Sequence, residues 1–90
     1  MAWAEPSHLP PGGGQAQLLV RAQRRDGSAA PGLEVRFRTS AGSLFSGGRV
    51  LETDSRGMTR DRVTTSRGCL VTVEVGQAVR DIRVGVDDRN

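Results

Sequence analysis

The sequence predicts an all-β fold of two packed layers, a sandwich or a small barrel, with no α-helix of consequence. Three observations predict it. Apolar residues recur at every second position in several separate runs, the period of a strand with one buried face. Gly, Asp and Ser turns separate those runs at intervals of about 8–12 residues. Composition agrees, because the 90 residues hold 12 Gly and 4 Pro while Val, Ile and Thr total 17, a mix that favours strands and turns over helices. The chain is 36% apolar and 23 of its residues are Val, Ile, Leu, Phe, Met or Trp, enough for one modest core. A domain of this size buries roughly 60–65% of the surface its unfolded chain exposes, which leaves no room for a large enclosed substrate cavity.

Residues 1–14, MAWAEPSHLPPGGG, hold three of the four prolines and three consecutive glycines and read as a Pro/Gly-rich linker or, around Trp3, as a short first strand docked on the sandwich edge. From Gln15 the pattern changes to a strand in which Ala16, Leu18, Val20 and Ala22 share one face. Arg25-Asp26-Gly27-Ser28 is a turn, since Asp bonds onward to the backbone and Gly accepts positive φ, and Pro31-Gly32 punctuates again. Leu33, Val35, Phe37 and Thr39 then alternate with Glu34, Arg36 and Arg38. The Gly/Ser-rich stretch 40–48 is expected to loop and tuck Leu44 and Phe45 back against the core; a short strand over 49–53 and a tight turn at Asp54-Ser55-Arg56-Gly57 follow. In the next run Thr59, Asp61, Val63 and Thr65 oppose Met58, Arg60, Arg62 and Thr64, so a strand here turns either a carboxylate or two arginines inward. An unpaired carboxylate in a core is costly, so Asp61 is expected near an exposed edge or against an arginine. Cys69, Val71, Val73 and Val75 mark the clearest strand, and Gly76-Gln77 connects it to a last one with Ile82, Val84 and Val86 inward. Val20, Val35, Phe37, Val71, Val73 and Val84 are the expected source of folding energy, and residues 87–90 read as a polar tail.

The succession RRDGSAAPGLEVRFRTSAGSL, ETDSRGMTRDRVTTSRG and LVTVEVG resembles the bacterial immunoglobulin-like repeats of invasin- and intimin-type adhesins. Asp26-Gly27, Pro31-Gly32, Val35, Phe37, Gly42, Thr53, Asp54, Gly57, Ser66, Gly68, Val71 and Val73 occupy matching places, and the match runs over residues 15–86. It implies an immunoglobulin-like Greek-key β-sandwich of about seven short antiparallel strands. It also implies a non-catalytic spacer or adhesion module in a larger surface or secreted protein, with neighbouring domains of the same polypeptide as its first partners. The sequence departs from the pattern at Asp61, where such repeats place an apolar residue, and at its head, where they begin with a recognisable strand. The T-D-x-x-G turn also resembles prealbumin-like modules of carboxypeptidases and outer-membrane transporters, a second choice because those carry an aromatic after the glycine and a Tyr ahead of the next strand, where this chain has Met58-Thr59, Cys69-Leu70 and no Tyr.

No catalytic constellation, cofactor cradle or metal cluster is read from the residues. His8 stands alone in the head, Cys69 is the one cysteine and reads as a small buried apolar residue, and the acidic spacings are not those of a calcium loop. Gly12-Gly13-Gly14 lacks the Lys-Ser/Thr of a phosphate loop. The net charge of +3 comes from 13 Arg and no Lys against 10 acidic residues. If the strands carrying them neighbour one another, Arg36, Arg38, Arg60 and Arg62 form a four-arginine patch able to hold an acidic protein or polysaccharide; the competing reading is a solvated face with Glu34, Glu52 and Glu74 as cross-strand partners. Nucleic acid is disfavoured for want of stacking aromatics. An accessory carbohydrate-binding module beside an extracellular enzyme is the alternative function, resting on Trp3 and Phe45. No apolar run approaches the ~20 residues of a membrane helix, and the first residues lack the apolar stretch of a signal peptide.

Overall fold

A computed structural model describes residues 1–87. Among the described residues nine strands form in order: β1 (Ala2–Glu5), β2 (His8–Leu9), β3 (Gly14–Arg21), β4 (Glu34–Thr39), β5 (Ser43–Leu44), β6 (Leu51–Glu52), β7 (Met58–Thr65), β8 (Cys69–Val75) and β9 (Ala78–Val86). They make two sheets, ordered β1-β3-β7-β5 and β2-β9-β8-β4-β6. Among the described residues there is no helix. The fold is the immunoglobulin-like sandwich that the sequence predicts, with β2, β5 and β6 only two residues long beside the six longer strands. Only β8 and β9 are consecutive strands of one sheet; every other connection crosses between the layers.

Alternation decides which side chains fill the space between the sheets. Val20, Val35, Phe37, Val71, Val73 and Val84 are all at most 1% exposed, joined by Leu18 and Val63. Cys69 is buried in the same cluster and free of any disulfide. β8 and β9 join through the two-residue connection Gly76-Gln77, with Val75 opposite Ala78 and Gly76 at φ 57°, the positive φ that a two-residue hairpin turn requires.

The Asp turns work as their residue types dictate. Asp26 Oδ1 accepts from the Ser28 amide and hydroxyl, and Asp54 Oδ1 accepts from the amides of Arg56 and Met58. These bonds favour the ionised carboxylate and hold both below the usual 3.8, led by the Ser28 hydroxyl at Asp26 and the Met58 amide at Asp54. Gly57 closes the second turn at φ 76° so close to β3 that a Cβ there would lie 2.3 Å from the Ala22 carbonyl. Just before it, buried Thr53 donates its hydroxyl to the Ala30 carbonyl and accepts the Leu33 amide, tying the Pro31-Gly32 turn to the T-D-x-x-G turn.

The structure settles several local expectations differently. Of the two readings of the head, the structure has the short edge strand around Trp3 and adds a second: Ala2–Glu5 pairs with β3, the chain crosses at Pro6-Ser7, and His8–Leu9 pairs with β9, burying Leu9 in the core. This second pairing is parallel, an exception to the antiparallel pattern. Phe45 does not tuck inward with Leu44; it is 77% exposed. Asp61 lies neither at an exposed edge nor against an arginine, but is buried at 6% exposure on a strand flanked by β3 and β5. Of the polar tail 87–90, residues beyond Asp87 lie outside the described part.

Candidate interaction surface

The four arginines singled out in the sequence do not come together. Arg36 and Arg38 sit on β4 and Arg60 and Arg62 on β7, strands of different sheets, and all four side chains point outward, so the two pairs occupy opposite outer faces. Register places Arg36 opposite Glu74 and Arg38 opposite Thr72, and Arg38 reaches Glu74 at 3.8 Å with both side chains largely exposed. Glu74 is thus a cross-strand partner of the kind expected, and such an exposed pair contributes at most about 1 kcal/mol.

A different constellation forms where sequence reading left a weak strand. β5 pairs Ser43 with Thr64 and Leu44 with Val63, and the ladder continues as the Phe45 amide donates to the Arg62 carbonyl at 2.8 Å. One further step along this register brings Ser46 beside Asp61. The Ser46 amide donates to Asp61 Oδ1 at 2.9 Å, its hydroxyl to Oδ2 at 2.5 Å, and the Arg62 amide to Oδ1 at 2.7 Å. Charge-assisted bonds of this kind offset the cost of taking the carboxylate out of water. Ser46 in turn receives the Gly48 amide on its hydroxyl and Arg49 Nε on its carbonyl. A buried carboxylate therefore organises the loop from Phe45 to Arg49 from beneath.

The consequence lies on the surface. With the ladder fixed at Arg62 and the turn fixed at Asp61, the Phe45 ring is held outward, and the Arg62 guanidinium stands 5.5 Å from its centre in cation–π geometry. Sequence reading paired Arg62 with Arg60 and sent Phe45 inward; it missed Ser46 altogether. The signal was present in the inward position of Asp61, which requires donors, and in the Ser-rich loop able to supply them.

Trp3 is half-buried on β1 and its indole N–H donates to Glu5 at 2.8 Å. His8 Nε2 meets Asp87 at 2.6 Å, an exposed contact beside the end of β9. Among the described residues no three His, Cys, Asp or Glu side chains group to hold a metal ion. The first and last described residues lie at opposite poles. Met1 exchanges backbone bonds with Arg21 and lines the same shallow hollow as Val75, Ala78 and Arg80, at the start of β9, while Asp87 follows the far end of that strand and donates its amide to Leu9. Nine strand residues separate the two by about 30 Å.

No protein-family model matches the chain, and no curated protein registers as a relative by sequence. Solved structures do match. The C-terminal 282-residue fragment of intimin, solved in complex with the intimin-binding domain of the translocated intimin receptor Tir, superposes with a TM-score of 0.74 at 21% identity, covering 96% of this chain and 32% of that one. The D00-D0 domain of intimin gives 0.76 at 13% identity over 98% of this chain and 46% of the other. The Yersinia pseudotuberculosis adhesin InvE gives 0.75 at 16% identity, covering 96% and 25%. The chain thus spans between a quarter and a half of the solved chains it matches, and what it shares with them is the fold of the bacterial immunoglobulin-like adhesin module.

Proposed function

We propose that the chain is a non-catalytic module of a larger surface or secreted protein, acting as a spacer or adhesion-supporting domain. The observation that carries this reading is the placement of Met1 and Asp87, the first and last described residues, at opposite poles of a sandwich measuring 47 × 23 × 18 Å. A domain built this way adds its long axis to the reach of whatever precedes and follows it. The strand arrangement supports the same role. β2 follows the entering strand along the chain and lies beside the last residues of β9, which leads to Asp87, and the two run parallel. A pull on the ends drags β2 back along β9 and loads in shear, all at once, the bonds from the Gly85 amide to Ser7 and from the Asp87 amide to Leu9. The likeness to adhesin domains, one of them solved with its receptor domain, supports an extracellular interaction role, with neighbouring domains as first partners and the outward Phe45–Arg62 pair as a point of protein contact. The carbohydrate-binding alternative keeps one exposed aromatic, Phe45, since Trp3 is half-buried and tied to Glu5.

The test is the shape of two copies joined in tandem through a short linker. Small-angle scattering is expected to give a maximum dimension close to twice the 47 Å of one copy. Two copies folded side by side, with a maximum dimension near that of one, would overturn the spacer reading.

A further inference from the structure

The outer faces of the two sheets differ in kind. On the sheet β2-β9-β8-β4-β6 the outward strand residues mix their signs: Arg36, Arg38 and Arg83 stand among Glu34, Glu52, Glu74 and Asp81, three arginines against four carboxylates. No aromatic lies among them. On the other sheet the register sets the outward residues in rows across the strands. Trp3, Leu19 and Arg60 make one row; Glu5, Gln17 and Arg62 make the next, which the ladder bond from Phe45 to Arg62 extends to the Phe45 ring. Arg21 and Met58, opposite one another on β3 and β7, flank the first row. This face thus carries Arg21, Arg60 and Arg62 against one glutamate, and Glu5 accepts the Trp3 indole N–H. Of the three aromatics in the chain, Phe37 is in the core and both others stand here, although they lie far apart in sequence.

Among the described residues the ion pairs are His8–Asp87 and Arg38–Glu74, neither on this sheet, so Arg21, Arg60 and Arg62 are left without a paired carboxylate. Asp54, in the turn before β7, attracts Arg60 but is spent on the Arg56 and Met58 amides, and Asp61 lies beneath the sheet, taken by Ser46 and the Arg62 amide. The apolar members are held ready. Glu5 fixes the indole, while the Ser46–Asp61 contact and the ladder at Arg62 keep Phe45 outward with the guanidinium over its ring. A partner meeting side chains already ordered loses little entropy in fixing them. Aromatic residues, Met and Arg with few carboxylates are also the composition of a protein-contact core. We propose that the outer face of the β1-β3-β7-β5 sheet binds an acidic protein surface whose carboxylates surround apolar side chains. The carboxylates answer Arg21, Arg60 and Arg62, and the apolar centre covers Phe45 and the half-buried Leu19 and Met58. This rests on the reading of the chain as an interaction module of a larger protein, and names the chemistry of its partner. An acidic polysaccharide would satisfy the arginines alone and leave Leu19 and Met58 in water, and Arg62 already occupies a face of the Phe45 ring on which a sugar would stack.

Amide-resolved NMR titration of the chain tests this with three probes of matched charge: a glutamate–tyrosine copolymer, polyglutamate and an alginate oligosaccharide. The copolymer is expected to bind most tightly and to shift the amides of Leu19, Arg60 and Phe45 while those of Arg38 and Thr72 on the other sheet hold still. Arg60→Gln/Arg62→Gln is expected to weaken the copolymer and polyglutamate alike by about tenfold, and Phe45→Ser to weaken the copolymer alone by about fivefold. Arg36→Gln/Arg38→Gln, the same change of charge on the opposite face, is expected to change either by less than about twofold. All five positions are exposed, so the variants keep the fold. A copolymer bound no better than polyglutamate, alginate bound more tightly than the copolymer, or equal losses from the two arginine pairs would each overturn the proposal, the second in favour of a polysaccharide and the third in favour of net charge alone. The length of the tandem copies is measured without any of these probes, so the spacer reading and this face fail separately.

Discussion

β8 and β7 are both long strands in the interior of their sheets, yet they face the core with opposite chemistry. β8 presents Cys69, Val71, Val73 and Val75, and its stabilisation is the non-directional removal of apolar surface from water. β7 presents Thr59, Asp61, Val63 and Thr65, and its buried polar groups each have an aimed partner. Asp61 takes donors from Ser46 and Arg62, and the Thr65 hydroxyl donates to the Arg67 carbonyl while accepting the Arg67 amide. Among the described residues no buried side-chain polar atom lacks a partner. The contrast teaches that inward polarity is tolerated in so small a core when a loop brings fixed donors to it, and that such a strand then determines the loop as well as the core.

The contrast sharpens into unequal responses to substitution. Phe37, the largest fully buried side chain, packs in the apolar interior, and Phe37→Ala is expected to cost about 3–5 kcal/mol in chemical denaturation. Its effect is global: the midpoint falls and the exchange of all core amides accelerates together. Asp61→Ala removes one acceptor group from three donors and is expected to cost about 2–3 kcal/mol, with the Ser46 amide losing protection before the core does. Asp61→Asn keeps an acceptor oxygen and is expected to cost less. Equal, uniform destabilisation by Phe37→Ala and Asp61→Ala would erase the distinction between the two interiors.

The smallest effect belongs to the exposed turns. Asp26 and Asp54 have folded pKa values below the ordinary 3.8, so their contribution to stability is present above that pH and is lost as the pH falls through the folded values. The melting temperature is therefore expected to hold from neutral pH down to about 4 and to decline below it, and Asp26→Asn/Asp54→Asn to flatten part of that decline. An unchanged acid limb in the double variant would show that these turns are unformed in solution.

Much of the fold was legible because alternation reports burial directly. The faces of β3, β4, β8 and β9 follow from every second residue, and the Asp54 turn follows from the short reach of a carboxylate to amides two and four residues ahead. What escaped depended on partners distant in sequence. The head offers few apolar residues, and Leu9 is buried only because β9 lies beside it. Asp61 looks like a defect until Ser46, fifteen residues earlier, is placed against it by the β5–β7 register. The arginine patch failed for the same reason: alternation tells which face of a strand is outward and leaves open which sheet the strand joins, and β4 and β7 join different ones.

The parallel pairing of β2 with β9 ties the fold to its proposed role most closely, and mechanical unfolding of a single copy tests it. Pulled by handles at the two chain ends, the module is expected to resist with a distinct force peak well above that obtained when handles at Arg67 and Asp87, flanking the open end of the β8–β9 hairpin, peel β9 away bond by bond. A force through the ends no higher than the peeling force would contradict an arrangement that carries tension from pole to pole.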